Sequence, residues 1–129
     1  MIPPALRQRL AGTDRVLIAP EGTLEMPALA GLGPEGGLGA EDTVLVSLAG
    51  TRALIRVLAA LDGAVAGLLL VSASLPPETV DALGRIAGAT RVISDRDDLP
   101  GALTPDAAVA EGAGAASPLV ETRWMMTTS

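Results

Sequence analysis

The sequence predicts an α/β fold, a parallel sheet with flanking helices, and three observations predict it. Short runs of β-branched and aliphatic residues alternate with stretches of helical period between residues 43 and 95. One of those runs, "VAGLLLVSA", is apolar on successive residues, as a strand covered on both faces would be. The connections between runs are long enough to hold a helix, which suits parallel strands joined by right-handed crossovers. At 129 residues the chain is the size of one domain.

In chain order, "PPALRQRL" (Pro3 to Leu10) predicts a short helix, with proline tolerated in its first turn and Gly12 as a stop. "RVLIAP" from Arg15 predicts a strand. Glu21 to Asp42 is rich in Gly and Pro with no sustained period and reads as loop, so residues 1–42 form a helix, a strand and an irregular stretch. "TVLVSL" from Thr43 is the next strand. In "GTRALIRVLAALDG", Leu54, Val57, Leu58 and Leu61 share one helical face, with Thr51 as the N-cap. The strand "VAGLLLVSA" leads to "SLPPETVDALGRIAGA", where Pro77 and Glu78 suit a first turn. Val80, Leu83 and Ile86 make its apolar stripe, and Gly88 ends it. "TRVISD" closes the strand-helix-strand-helix-strand core of residues 43–95. Residues 96–119 read as a linker with one weak helical turn, and residues 120–129 as a final extended segment.

Composition narrows the chemistry. The chain has no His, Cys, Lys, Tyr, Phe or Asn, so a Cys or His zinc site, a Ser-His-Asp triad, a Cys nucleophile and a Schiff-base lysine are excluded within these residues. Asp, Glu, Arg, Ser, Thr and backbone amides are left. The absence of cysteine agrees with a reducing, cytoplasmic location. A net charge of -6, with the arginines spread from Arg7 to Arg123, argues against a nucleic-acid partner. The longest apolar stretch, Gly63 to Leu75, is too short for a helical membrane span despite the GxxxG spacing of Gly63 and Gly67.

Several motifs have a bland reading and a functional one. "GLGPEG" (Gly31 to Gly36) spells GxGxxG, but the dinucleotide motif needs a strand before it and a helix opening at its last glycine, and a surface turn is the better expectation. Asp95, Asp97 and Asp98 in "DRDD" lack the glycine and closing glutamate of a calcium loop and read as a solvated acidic turn. Glu41 and Asp42 mark the turn before a strand. Trp124 is expected to be a packing anchor, and Met125 and Met126 core fillers. Thr127, Thr128 and Ser129 follow an apolar strand to the end at which α/β proteins keep their ligand crevices.

"WMMTTS" (Trp124 to Ser129) resembles the approach to the phosphate loop of the adenylate-forming superfamily, which includes acyl- and aryl-CoA synthetases, adenylation domains and luciferases. In that family an apolar strand runs into Thr-Ser-Gly-Thr-Thr-Gly-x-Pro-Lys, whose first two positions Thr128 and Ser129 match. Upstream, Gly31 to Asp95 is similar to the family's N-terminal region in the order, spacing and character of its segments. The chain departs from the family at "LAGTR", where an asparagine and a proline are usual, and its linker from Leu99 to Pro118 is short.

The resemblance implies a single incomplete domain, the first part of the large N-terminal domain of a longer ATP-dependent ligase. That enzyme would use Mg-ATP to convert a carboxylic acid to an acyl adenylate and pass the acyl group to the thiol of CoA or a phosphopantetheine carrier. Thr127, Thr128 and Ser129 would bind ATP phosphate, and no catalytic or metal-binding residue would lie in this stretch. The 129 residues alone would be inactive, and their partner would be the remainder of the enzyme. The competing expectation is a small non-enzymatic α/β module that binds a protein.

Overall fold

The computed structural model describes residues 16–19, 22–25, 31–99, 101–111 and 120–126. The predicted helix at Pro3 to Leu10 and the predicted phosphate-binding residues Thr127, Thr128 and Ser129 lie outside the described residues. Among the described residues, eleven elements follow one another: β1 (Val16–Ala19), β2 (Gly22–Glu25), β3 (Leu32–Pro34), β4 (Thr43–Ser47), α1 (Thr51–Leu61), β5 (Gly67–Leu70), α2 (Pro77–Ala87), β6 (Arg91–Ser94), α3 (Pro105–Ala108), β7 (Val109–Glu111) and β8 (Arg123–Met126). The fold is α/β, as its alternating pattern predicts.

The main sheet has four strands in the order β6-β4-β5-β8, all parallel. Period-two alternation divides its side chains between two apolar layers. Val44, Val46, Leu68 and Ile93 face α1, α3 and β7, where Val57, Leu61, Ala108 and Val109 meet them. Leu45, Leu69 and Val71 face α2, where Val80 is buried and Leu83 and Ala87 pack beside it. Helices thus cover both faces, which accounts for the unbroken apolar run of β5. Each fully buried Leu, Val or Ile of these layers contributes about 1.5–3 kcal/mol relative to an exposed one.

Two segments read as irregular contain strands. β2 pairs antiparallel with β1 from Ala19↔Gly22 to Val16↔Glu25, so the stretch after "RVLIAP" is a hairpin. β3 pairs antiparallel with β7 from Leu32↔Glu111 to Pro34↔Val109. Neither carries a long enough pattern to reveal itself: β3 and β7 are three residues each, and their partners are far apart in sequence. The predicted helical turn in the linker is α3, whose N-cap hydroxyl, Thr104 Oγ1, accepts from the Ala107 amide at 3.3 Å. "GLGPEG" is accordingly a strand with Leu32 buried, followed by a turn, and no helix opens from it.

Helix details also differ. The N-cap of α1 is Gly50, and Thr51 is the first helical residue. Val57 and Leu61 are buried, and Leu54 and Leu58 pack against the same layer, as the periodicity predicts. On α2, Ile86 is 83 % exposed; the buried face is completed instead by Gly84 and Ala87. Counting 80, 83, 84, 87 keeps to one face of a 3.6-residue turn, whereas 86 falls well to the side of it. Gly88 ends α2 in the left-handed region at φ 75°, a conformation glycine adopts without steric cost. No helix among the described residues is long and apolar enough to cross a membrane.

Candidate functional site

In an open parallel sheet, ligands lie beyond the carboxyl ends of the strands, where neighbouring connections depart to opposite faces. Here that position lies between β4, whose chain passes to α1 on one face, and β5, whose chain passes to α2 on the other. Ser47, Ser72, Ser74, Ser94, Asp95 and Arg96 collect at this end of the sheet, which is also the end at which β8 terminates after Met126.

The serines form a connected set. Ser94 Oγ is buried and donates to the Ser47 carbonyl at 2.8 Å, while accepting from the Arg96 amide at 3.0 Å. Ser47 is fully buried, with its hydroxyl directed at the Ser72 carbonyl at 3.5 Å. Past β5, the exposed hydroxyls of Ser72 and Ser74 are 2.8 Å apart, and the Ser74 amide donates to Ser72 Oγ at 3.3 Å. Two hydroxyls therefore stand in solvent beside the position where β8 ends, since Leu70 and Met126 are register partners.

The acidic turn is more than solvated charge. Asp95 accepts from the Ala49 amide at 3.1 Å through each carboxylate oxygen, and from the Gly50 amide at 3.2 Å. A carboxylate from the end of β6 thus satisfies amides at the start of α1, where the helix dipole favours negative charge. Sequence reasoning missed this role. The available signal was the N-terminus of α1 itself: "LAG" supplies no capping side chain, so an acceptor had to come from elsewhere.

Arg96 holds Asp98 through two parallel bonds, Nε to Oδ1 at 2.8 Å and Nη2 to Oδ2 at 2.9 Å. This hydrogen bonding raises the Arg96 pKa and holds the Asp98 carboxyl below its ordinary value. Asp42 confirms its turn role, accepting from the Gly39 amide and from Thr90 Oγ1, each at 2.8 Å. Among the described residues there is no group of three or more Asp or Glu able to hold a metal ion.

At the edge of the sheet the expectations for "WMM" need correction. Trp124 is 42 % exposed, and its Nε1 donates to the buried Asp62 at 2.7 Å. Met126 is 75 % exposed, and only Met125 packs into an apolar layer. Among the described residues, β5 is the one strand that pairs with β8. Elsewhere, a groove of about 290 Å³ runs between α2 and the turn at Asp98 and Leu99, floored by Leu45 and Val92.

Compared with protein-family models, curated proteins and solved structures, the chain matches none of them.

Proposed function

We propose that the chain belongs to a cytoplasmic, ATP-dependent carboxylic-acid ligase of the adenylate-forming type and forms the approach to its phosphate loop. A carboxylate oxygen of the acid attacks the α-phosphorus of ATP, the bond to the bridging oxygen breaks, and pyrophosphate leaves. A thiol, on CoA or a phosphopantetheine carrier, then attacks the acyl carbon, displacing AMP and giving up its proton. Mg²⁺ neutralises the phosphate charge, arriving with the nucleotide. Thr128 and Ser129, with Thr127, donate to phosphate oxygens in this reading. Hydroxyls and loop amides at a strand end are suited to that task because they offer donors without opposing charge.

The observation that supports the reading is the course of β8. It runs parallel to β5, and its apolar segment stops at the carboxyl edge of the sheet, where the hydroxyls of Ser72 and Ser74 stand. A phosphate loop would leave the sheet at that edge.

The test begins with the coding sequence beyond Ser129, which should continue into a Gly-rich segment ending in Pro-Lys. The protein carrying that continuation should catalyse carboxylate-dependent exchange of pyrophosphate into ATP. Replacing Thr128 and Ser129 together by Ala should lower that exchange by about 10²-fold, on the scale of losing an anion-stabilising donor, while the fold is kept. Exchange at the unaltered rate removes the phosphate role of these two residues.

A second reading, a non-enzymatic interaction module, is favoured by the exposed Trp124 and Met126 on β8, which is the edge strand of the sheet among the described residues. It predicts a stable monomer that captures a partner through this edge and turns over no nucleotide.

A further inference from the structure

β8 lacks the feature that ordinarily sets a strand's register. A buried face does so, because a slip of one residue sends every side chain to the other side of the sheet. On β8, Trp124 and Met126 are exposed on one face, and Met125 is half-buried on the other. The strand is four residues long and, among the described residues, is hydrogen-bonded on one side alone within its sheet. Its apolar pattern gives weak discrimination between neighbouring registers.

Polar contacts at the start of the strand give the missing discrimination. Thr122 Oγ1 accepts from the Gly63 amide and donates to the Val65 carbonyl, both at 2.7 Å. The indole of Trp124 donates to Asp62 Oδ1 at 2.7 Å. The Val120 amide donates to the Gly63 carbonyl at 2.7 Å, and the Arg123 amide to that of Ala66 at 2.9 Å. All these partners belong to the turn from Asp62 to Ala66, between α1 and β5. Asp62 is 8 % exposed, and a buried carboxylate depends on its donors. A one-residue slip would carry the indole to the opposite face of the sheet and take this donor away. It would also put a side chain other than Thr122 between the Gly63 amide and the Val65 carbonyl.

We infer that Asp62, Thr122 and Trp124 form a register latch that fixes β8 against β5, and with it the position Met126 takes beside Leu70. They are positioning residues. The consequence for phosphate contacts rests on the ligase reading: a slip would displace Met126, from which the phosphate-binding residues follow, by about 3.3 Å along the strand and reverse the face it presents.

The chain has no cysteine, so an introduced pair reports on register without interference. Leu70→Cys with Met126→Cys pairs register partners; Leu70→Cys with Met125→Cys pairs positions that come opposite only after a slip. Neighbouring strands lie within the span a disulfide bridges. Under mild oxidation the first pair should close and the second should not. Adding Asp62→Ala and Thr122→Val should raise closure of the second pair by about tenfold or more relative to the first, tenfold being the lower end for losing three net hydrogen bonds. Restoring a hydroxyl with Thr122→Ser should return most of the selectivity. Emission from Trp124, the one aromatic residue in the chain, should also change on Asp62→Ala and stay closer to the original on Asp62→Asn, which keeps an acceptor oxygen.

If circular dichroism shows the double background unfolded, Thr122→Val alone, nearly isosteric, is read in the same way. Unchanged preference for the first pair in the folded background overturns the latch. Because cross-linking needs no nucleotide, its failure leaves the ligase reading standing. Absent exchange activity with latch-dependent cross-linking does the reverse.

Discussion

At the residue scale, the informative side chain is Asp95. Its bonds to Ala49 and Gly50 tie the end of β6 to the start of α1, across the top of the central strand β4. Because the capping residue is Gly50 and makes no side-chain bond, the carboxylate substitutes for a local cap. Asp95→Ala should therefore cost about 1–2 kcal/mol, in the range of lost caps, with Asp95→Asn costing less because one acceptor oxygen is retained. Denaturant titration checks this. Equal stability of Asp95→Ala and the parent would mean that water serves those amides just as well.

At the element scale, legibility followed pattern length. The strands and helices of residues 43–95 could be read because each carries several apolar residues in one period and because β5, with both faces covered, advertises its burial. β2, β3 and β7 could not, since GTLE, LGP and VAE carry Gly, Pro or Glu where the legible strands have an unbroken apolar run, and β3 and β7 pair only with each other across a long stretch of sequence. The same limit explains Trp124: an apolar residue on a strand is buried only if the sheet continues or a helix covers it. Of the candidate site, the end of the sheet was legible from topology, whereas the contacts of Asp95 and the serine set depend on how three loops meet. α2 offers a test of packing at this scale. A Cβ on Gly84 would come within 3.2 Å of Leu45 Cδ1, yet both residues line the groove beside α2, where that methyl has room to move. Gly84→Ala should then stabilise by about 0.5–1 kcal/mol through helix propensity, seen as a melting temperature higher by about 3 °C. A lower melting temperature would mean that Leu45 cannot yield.

At the scale of the whole molecule, the order β6-β4-β5-β8 gives the sheet two unlike edges. Beside β6, Leu103 bridges to Ile93: its amide donates to the Val92 carbonyl at 2.8 Å, and its carbonyl accepts from the Ser94 amide at 2.9 Å. Beside β5, the neighbour is β8, the last in sequence of the described strands, and the fold holds together there through the turn at Asp62. A chain shortened to end at Glu111 should leave β5 with a bare edge and associate through it, raising light scattering at micromolar concentration. A monomeric, folded product of that length would show that β8 is dispensable to the sheet. For a polypeptide made from its N-terminus, the same strand order becomes a matter of timing. β4, β5, β6 and the helices between them are all synthesised before Arg123–Met126 leaves the ribosome, so β5 must wait through that interval with its outer hydrogen-bonding groups unclaimed. Of the described strands, the one made last closes the interval during which nascent chains can pair through β5.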